Sequence, residues 1–308
     1  MQPIIQTDHL TKRYKGFLAV DDVSLKIKKG EIYGFIGLNG AGKTTTIRML
    51  LAMIRPTKGC CYLDGEKVSI HHHAIWDKIG YMVETPHSYP ELSVEENLDI
   101  IRRLRFLSNP TVVKQVMNRL KLTRYAKKKA KHLSLGNAQR LGIAKALLHE
   151  PEILILDEPV NGLDPAGIVE IRDLLQELAF NKGVTILISS HLLDEMAKMA
   201  TKIGIIHEGR LIQEIETIHL NKRLDRSLLV DTRDNHSAVL EMSNSGYAAE
   251  IDRSGSIMTY HEQAIHHPEK ISRLLVQKGF PPTRLLVEEE NLESYFLRVI
   301  KKEGEISQ

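Results

Sequence analysis

Cysteine is nearly absent from this chain: the 308 residues hold two, Cys60 and Cys61, and they are adjacent. Neighbours cannot build a disulfide framework, so the fold must stand without one, as expected in a reducing cytosol. Both read as small side chains that are buried or half-buried. No apolar run approaches the roughly 18 residues that a membrane helix needs. The opening stretch MQPIIQTDHLTKRY lacks the basic-then-apolar pattern of a signal peptide. A chain without a transmembrane segment of its own is therefore expected. The formal net charge is only +3, which gives no bulk electrostatic case for a nucleic-acid partner. Internal repeats and low-complexity tracts are also missing, which sets aside solenoids and disordered arrays.

What is present is an ordinary globular composition, 42 % apolar and 26 % charged. The length suffices for a full domain with a sizeable core plus something smaller. The first two-thirds alternates strand-like and helix-like segments, which argues for an α/β domain. EIYGFIG (31–37) reads as a buried strand entering a glycine-rich turn. Behind it, Ile47, Leu50, Leu51 and Ile54 keep the spacing of one helical face, with Pro56 just beyond. EILILD (152–157) and VTILISS (184–190) are continuous apolar runs of strand length, as expected for strands covered on both faces. Ile171, Leu174, Leu175 and Leu178 repeat the helical spacing, and HEGR near residue 209 predicts a hairpin turn.

The character changes near residue 220. Polar stretches such as DTRDNHSAV and DRSGSIM interrupt short apolar runs, and EKISRLLVQKGF and NLESYFLRVI predict two amphipathic helices. Residues 1–218 are accordingly expected as one domain, and 219–308 as a small α/β accessory domain. Dimer stabilisation and regulation are both open roles for the latter.

GLNGAGKTT (37–45) satisfies G-x-x-x-x-G-K-[ST], with a strand before it and an amphipathic helix after it. Such a loop turns backbone N–H groups inward to cradle phosphate oxygens, and the helix N-terminus adds the positive end of its dipole. The expected phosphate site comprises Gly37, Leu38, Asn39, Gly40, Ala41, Gly42, Lys43, Thr44 and Thr45. Lys43 should reach the β- and γ-phosphates, and the Thr44 hydroxyl should ligate Mg²⁺. ILILDEP (153–159) supplies the complementary half. Asp157 ends a buried strand where it is placed to hold Mg²⁺, and Glu158 is placed to polarise an attacking water as general base. Together these predict a nucleoside triphosphatase using ATP and Mg²⁺.

LSLGNAQRLGIAKALLHEP (133–151) narrows the kind. Ser134 and Gly136 precede a helix whose face carries Leu141, Ala144 and Leu148. A hydroxyl and a backbone N–H there make a second anion-binding element. Because the first loop already grips one γ-phosphate, the economical arrangement gives the second element to the nucleotide of another copy. At this point the chain resembles the nucleotide-binding subunit of ABC transporters over roughly residues 4–215, with LSLGN standing for the usual LSGGQ. The resemblance implies a P-loop NTPase fold with a helical subdomain near residues 86–150. It implies that Tyr14 of LTKRY stacks on adenine, the other reading being a half-buried core aromatic. Asp164 of NGLDP matches the D-loop, although it is also a natural helix cap before Pro165. His191 of SSHLLDE matches the switch histidine that senses the γ-phosphate.

Glu84, in IGYMVETPHSYPELSVEENL, falls where the family usually has a Q-loop glutamine that binds Mg²⁺ and couples the site to the permease. A carboxylate is a harder, charged ligand for Mg²⁺ and repels phosphates without the ion. Leu135 replaces the middle signature glycine and Asn137 the final glutamine. Leu38 replaces a proline at a position expected to pack. With RLGIAKALLHEPEILILDEPVNGLDP, these features are similar to the bacitracin-resistance and lantibiotic-immunity exporters. That resemblance implies an ATPase at the cytoplasmic face of the membrane, a second nucleotide-binding subunit (identical or a paralogue) and a separate transmembrane permease. YPELSVEENL (89–98) lies where the permease would dock, but Tyr89, Leu92 and Val94 equally suit plain core packing. The rivals are a non-transport ABC ATPase, which the single nucleotide domain and the lack of coiled-coil heptads between 37 and 134 disfavour, and a kinase-like P-loop enzyme, which the signature and His191 disfavour. HHH (71–73) and His266–His267 lack the partners of a metal site. KKKAK (127–131) reads as a solvated face, with attraction to anionic lipid as the other possibility.

Overall fold

Short runs of β-branched and leucine residues alternate with amphipathic stretches through the first two-thirds, and they assemble as layers. The structure, a computed structural model, describes residues 2–306 apart from Ile70, His72, Thr85 and Arg253, and only the backbone of His73, Asn221 and 302–306. His72, the centre of the HHH stretch, thus lies outside the described residues. The chain divides into two units, Met1–Ile218 and His219–Gln308.

In the first unit the strands are β1 Ile5–Tyr14, β2 Phe17–Val23, β3 Lys26–Ile27, β4 Ile32–Ile36, β5 Lys58–Leu63, β6 Glu66–Lys67, β7 Ile79–Met82, β8 Ile153–Asp157, β9 Thr185–Ser190, β10 Lys202–His207 and β11 Arg210–Glu216. The helices are α1 Lys43–Leu50, α2 His73–Trp76, α3 Val94–Leu104, α4 Thr111–Arg119, α5 Leu135–Leu147, α6 Pro165–Lys182 and α7 Leu193–Met199. One sheet runs β11-β10-β4-β9-β8-β7, parallel except for the β10–β11 hairpin that HEGR predicts. Every residue of β4, β8 and β9 is buried, which is why these strands read as unbroken apolar runs. A second, antiparallel sheet runs β2-β1-β5-β6, with β3 beside β1. A shared core joins Ile5, Leu25 and Leu63 to Phe35, Ile47 and Ile155.

Some local expectations change. The face from Ile47 predicts a helix reaching Ile54, yet α1 stops at Leu50 because Ala52 adopts a left-handed φ of 54°. Ile47 and Leu50 are fully buried, whereas Ile54 packs partly buried beyond the helix. Cys61 is buried and Cys60 half-buried; burial first, then Cys60, pushes the Cys61 thiol up to about 12. Lys127, Lys129 and Lys131 pair with Glu95 and Glu91, the solvated face expected of KKKAK.

The segment from 86 to 150 is largely helical. Ser93 and Glu96 form a capping box that starts α3. Val94 is fully buried, so it belongs to the core, whereas Tyr89 is exposed. Asn97 is fully buried and its amide binds Tyr89 N, Tyr89 O, Leu92 O and Ser93 O. Lys145 of α5 reaches the same knot, donating to His87 O at 2.8 Å, Ser88 Oγ at 2.9 Å and Asn97 Oδ1 at 3.3 Å. Burial without a carboxylate among these partners lowers its pKa to about 8.

The second unit is α/β as well. Its strands are β12 Arg226–Asp231, β13 Glu250–Ile251, β14 Ile257–Thr259 and β15 Arg284–Glu289; its helices are α8 Asn235–Asn244, α9 Glu262–His266, α10 Pro268–Gln277 and α11 Leu292–Ile306. The antiparallel sheet order is β13-β14-β12-β15. Leu228, Val230 and Ile257 meet Ala238, Met242, Ile271 and Leu275 in a core of its own. The two amphipathic helices expected near the end are α10 and α11, the latter burying Tyr295 and Phe296. Among the described residues no helix is long and apolar enough to cross a membrane.

Two measurements probe this packing. Asn97→Ala strips partners from several buried or partly buried backbone groups at once, so urea unfolding should show a loss of about 2–3 kcal/mol. His149 Nε2 lies 3.0 Å from the Ile79 carbonyl, which only accepts, so Nε2 carries the proton and the buried Nδ1 has no partner among the described residues. Burial first, and Arg105 next, hold its pKa below the usual 6.5. The unfolded chain takes up a proton near that pH which the fold resists. Stability from His149 is therefore present above the usual histidine pKa and is lost as pH falls below it. His149→Gln keeps a donor but does not titrate. It should lose less stability than the parent between pH 7 and pH 5 in urea unfolding.

Candidate active site

Parallel pairing brings three strand ends to one edge of the sheet. Ile36 of β4 stands beside Ser190 of β9, and Asp157 of β8 beside Ser189 of β9. The residues immediately after these strands therefore gather at their carboxyl ends, where open α/β sheets place ligands. Those residues are the loop 37–42 after β4, Glu158 after β8 and His191 after β9.

The loop's glycines are sterically required at two positions. A Cβ on Gly37 would lie 2.5 Å from the Ile206 carbonyl oxygen, and Gly42 has φ 107° with its Cβ site 2.6 Å from the Ala19 carbonyl oxygen. The backbone can therefore press against the sheet and turn into α1. Leu38, Asn39 and Gly40 are exposed at the loop's tip, Ala41 is buried, and Thr44 and Thr45 are half-buried. Leu38 does not pack as expected: it is 46 % exposed. Lys43 is buried under the loop, and its ammonium donates to Gly37 O at 2.6 Å and Leu38 O at 3.3 Å.

Behind the loop the polar groups form one chain of contacts. Asp157, 2 % exposed, accepts from the Thr44 hydroxyl at 2.8 Å and the Ser189 hydroxyl at 2.5 Å. Glu158 has φ 51°, a left-handed turn that swings its carboxylate off the strand direction. One oxygen lies 3.3 Å from Lys43 Nζ, and the other 3.0 Å from His191 Nδ1. Its backbone is held as well: Glu158 N donates to Ser189 Oγ at 3.1 Å, and the buried Gln139 of α5 donates to Glu158 O at 2.8 Å. Lys43, Thr44, Asp157, Glu158 and His191 thus meet as one cluster. Ser189 and Gln139 escaped the sequence reading; a serine pair ending an otherwise apolar strand was the available signal for the first.

Five further candidates stand elsewhere. Ser134 caps α5, accepting from Asn137 N, and Asp164 caps α6, accepting from Gly167 N at 3.0 Å. Ser134, Gly136 and Asp164 line a separate pocket of about 370 Å³, together with Lys121, Arg124 and Arg140. None of the five clustered residues lines it. Leu135, the departure from the signature glycine, packs on Gly162: a Cβ there would meet Leu135 Cδ2 at 2.3 Å, and Gly162 itself has φ 74°. Tyr14 ends β1 exposed rather than in the core, with Lys12 Nζ 5.1 Å from its ring centroid. Glu84, at φ 58°, is half exposed and forms its ion pair with Arg48 of α1, so the structure ties it to the loop's helix and not to Thr44 or Asp157.

These residues suit the chemistry of a nucleoside triphosphate. Lys43 offers a cation framed by carbonyls under an anion-cradling loop, and the Thr44–Asp157 pair offers hard oxygens of the kind Mg²⁺ takes. Comparison with known proteins agrees. Residues 20–161 match the ABC transporter family. The bacitracin transport ATP-binding protein BcrA of Bacillus licheniformis is 41 % identical over 97 % of this chain and 98 % of its own length. The lantibiotic transport ATP-binding protein SrtF of Streptococcus pyogenes is 38 % identical over 69 % of this chain and 91 % of its own. A solved dimeric cassette, MJ0796 in a post-hydrolysis state bound to ADP and Pi, superposes with TM-score 0.65 at 26 % identity, covering 69 % of this chain and 98 % of that one. The chain belongs to the ABC transporter family as an ATP-binding subunit with a P-loop NTPase fold, and it is an ATPase.

Proposed function

We propose that this ATPase powers a separate membrane permease that exports a peptide antibiotic of the bacitracin or lantibiotic type. One observation carries the choice within the family: the bacitracin transport relative aligns over 97 % of the chain and so includes the second unit, whereas the lantibiotic relative aligns over 69 %. The shared accessory unit favours bacitracin-like cargo. The ATPase would act at the cytoplasmic face of the membrane, with exposed Tyr89 rather than buried Val94 available to the permease.

In this reading the loop 37–45 binds the phosphates, Tyr14 stacks on adenine and Lys43 neutralises the β- and γ-phosphates. Thr44 and Asp157 are the residues that would hold Mg²⁺, which when bound offsets phosphate charge; Glu84 is a third candidate if it leaves Arg48. Glu158 takes a proton from the water that attacks the γ-phosphorus, the bond to the bridging oxygen breaks, and ADP and phosphate leave. The γ-phosphate competes with Glu158 for Lys43 Nζ, now 3.3 Å from the carboxylate. Binding therefore frees the base oxygen that must face water. His191, at 3.0 Å from the other oxygen, orients the carboxylate and senses the phosphate. Ser134, Gly136 and Asp164 serve the nucleotide of a second subunit, a reading supported by their lining a pocket apart from Lys43 and Glu158.

Glu158→Gln should lower ATP hydrolysis by about 100-fold or more, the range of a lost general base, while ATP still binds. With Mg-ATP this variant should sediment as a dimer; phosphate release near the parental rate refutes the base assignment. Glu84→Gln removes an exposed ion pair, so stability should change by about 1 kcal/mol or less. ATPase stimulation by the co-purified permease and protection against bacitracin should both fall. Unchanged stimulation and protection would leave Glu84 a surface partner of Arg48 and nothing more.

A further inference from the structure

The sheet of the second unit ends, among the described residues, on an edge strand with no proline and no bulge. β15 pairs with β12 on one side and is last in the strand order, so alternate N–H and C=O groups face outward from its other side. Natural edges are blunted by charged side chains, proline or a bulge; β15 carries its charges only toward its two ends. β15 reads Arg-Leu-Leu-Val-Glu-Glu, and its register with β12 runs unbroken from Arg226↔Glu289 to Asp231↔Arg284. Leu286 and Val287 are 43 % and 38 % exposed. An edge of unbroken register with exposed apolar side chains between charged ends is open to strand addition.

The sequence of this edge matches itself. A two-fold axis normal to a sheet keeps each face on its own side, so the paired residue numbers must sum to an even value. Centred on Leu286, an antiparallel second copy sets Arg284 against its Glu288, Leu285 against its Val287, and Leu286 against its own counterpart. Charges then meet opposite charges twice, with apolar pairs between them. Centring on Val287 instead sets Leu286 against Glu288 and Leu285 against Glu289; centring on Leu285 sets Arg284 against Leu286. Both place charge on apolar groups. Within one chain Arg284 and Glu288 already meet at 3.1 Å on the face of Leu286. Both are exposed, so exchanging that pair for the equivalent pair between copies costs little.

We propose that β15 is a homotypic docking edge, through which two copies of this chain pair antiparallel in the register centred on Leu286. A six-residue edge buries well under the roughly 1,200 Å² of a lasting interface. The contact is weak on its own and is best caught covalently. It needs no nucleotide and no residue of the phosphate site, so it stands or falls apart from the ATP-dependent pairing of cassettes.

In the register proposed, residue 286 faces itself at a Cα separation a disulfide spans. The test uses the full chain with Cys60→Ser, Cys61 staying buried with its thiol pushed up to about 12. Leu286→Cys should form disulfide-linked dimers under mild oxidation without nucleotide. It should do so several-fold faster than Leu240→Cys, an exposed site on α8 of the same unit. Adding Arg284→Glu should slow cross-linking several-fold, and adding Glu288→Arg as well should restore it. Equal rates at 286 and 240, no dimer at 286 in a chain with parental circular dichroism, or indifference to Arg284→Glu each overturns the proposal.

Discussion

Asp157 is the point at which the site is assembled. Its carboxylate is nearly out of water, yet the groups that satisfy it come from two other elements, the Thr44 hydroxyl at the start of α1 and the Ser189 hydroxyl on β9. A buried carboxylate without such donors would cost several kcal/mol. The requirement therefore fixes the relative position of β8, β9 and α1 more tightly than apolar packing does. Charge-assisted bonds of this kind are short and directional. They hold Glu158, one residue further on, within reach of Lys43 and His191.

Legibility in the sequence tracked the range of each interaction. The glycine loop, the apolar runs of β4, β8 and β9 and the face of α6 are local patterns, and the structure holds them where their spacing puts them. Ser189 became visible as a partner only once the register set it beside Asp157, because strand order is a long-range fact. Gln139 was hidden for the same reason: its donation to the Glu158 carbonyl crosses from a helix to a strand end. Leu38 was expected to pack, but the loop turns so tightly between Gly37 and Gly42 that its tip has nothing to pack on. The helical face from Ile47 continues through Ile54, but the left-handed Ala52 ends α1 first. Apolar spacing marks the buried face; it does not mark where the helix stops.

Glu84 shows the same limit from the electrostatic side. Its sequence position next to a strand end suggests the metal, whereas the structure ties it to Arg48, on the helix that the phosphate loop opens. The two are connected. An acid in that position exerts its pull on α1 through Arg48, so drawing Glu84 toward a phosphate-bound cation would break that ion pair. A neutral glutamine would lack that second hold.

The knot around Asn97 carries this linkage away from the strand ends. The segment after Glu84 is bound through His87 and Ser88 to Lys145, and Lys145 belongs to the same helix that Ser134 caps and from which Gln139 reaches Glu158. His87 and Ser88 therefore meet α5 through the partly buried ammonium of Lys145. The same helix ends at one tip in the pocket of Ser134 and touches Glu158 along its side. One helix, α5, therefore carries polar contacts to the segment before Tyr89, to Glu158 and to the pocket of Ser134.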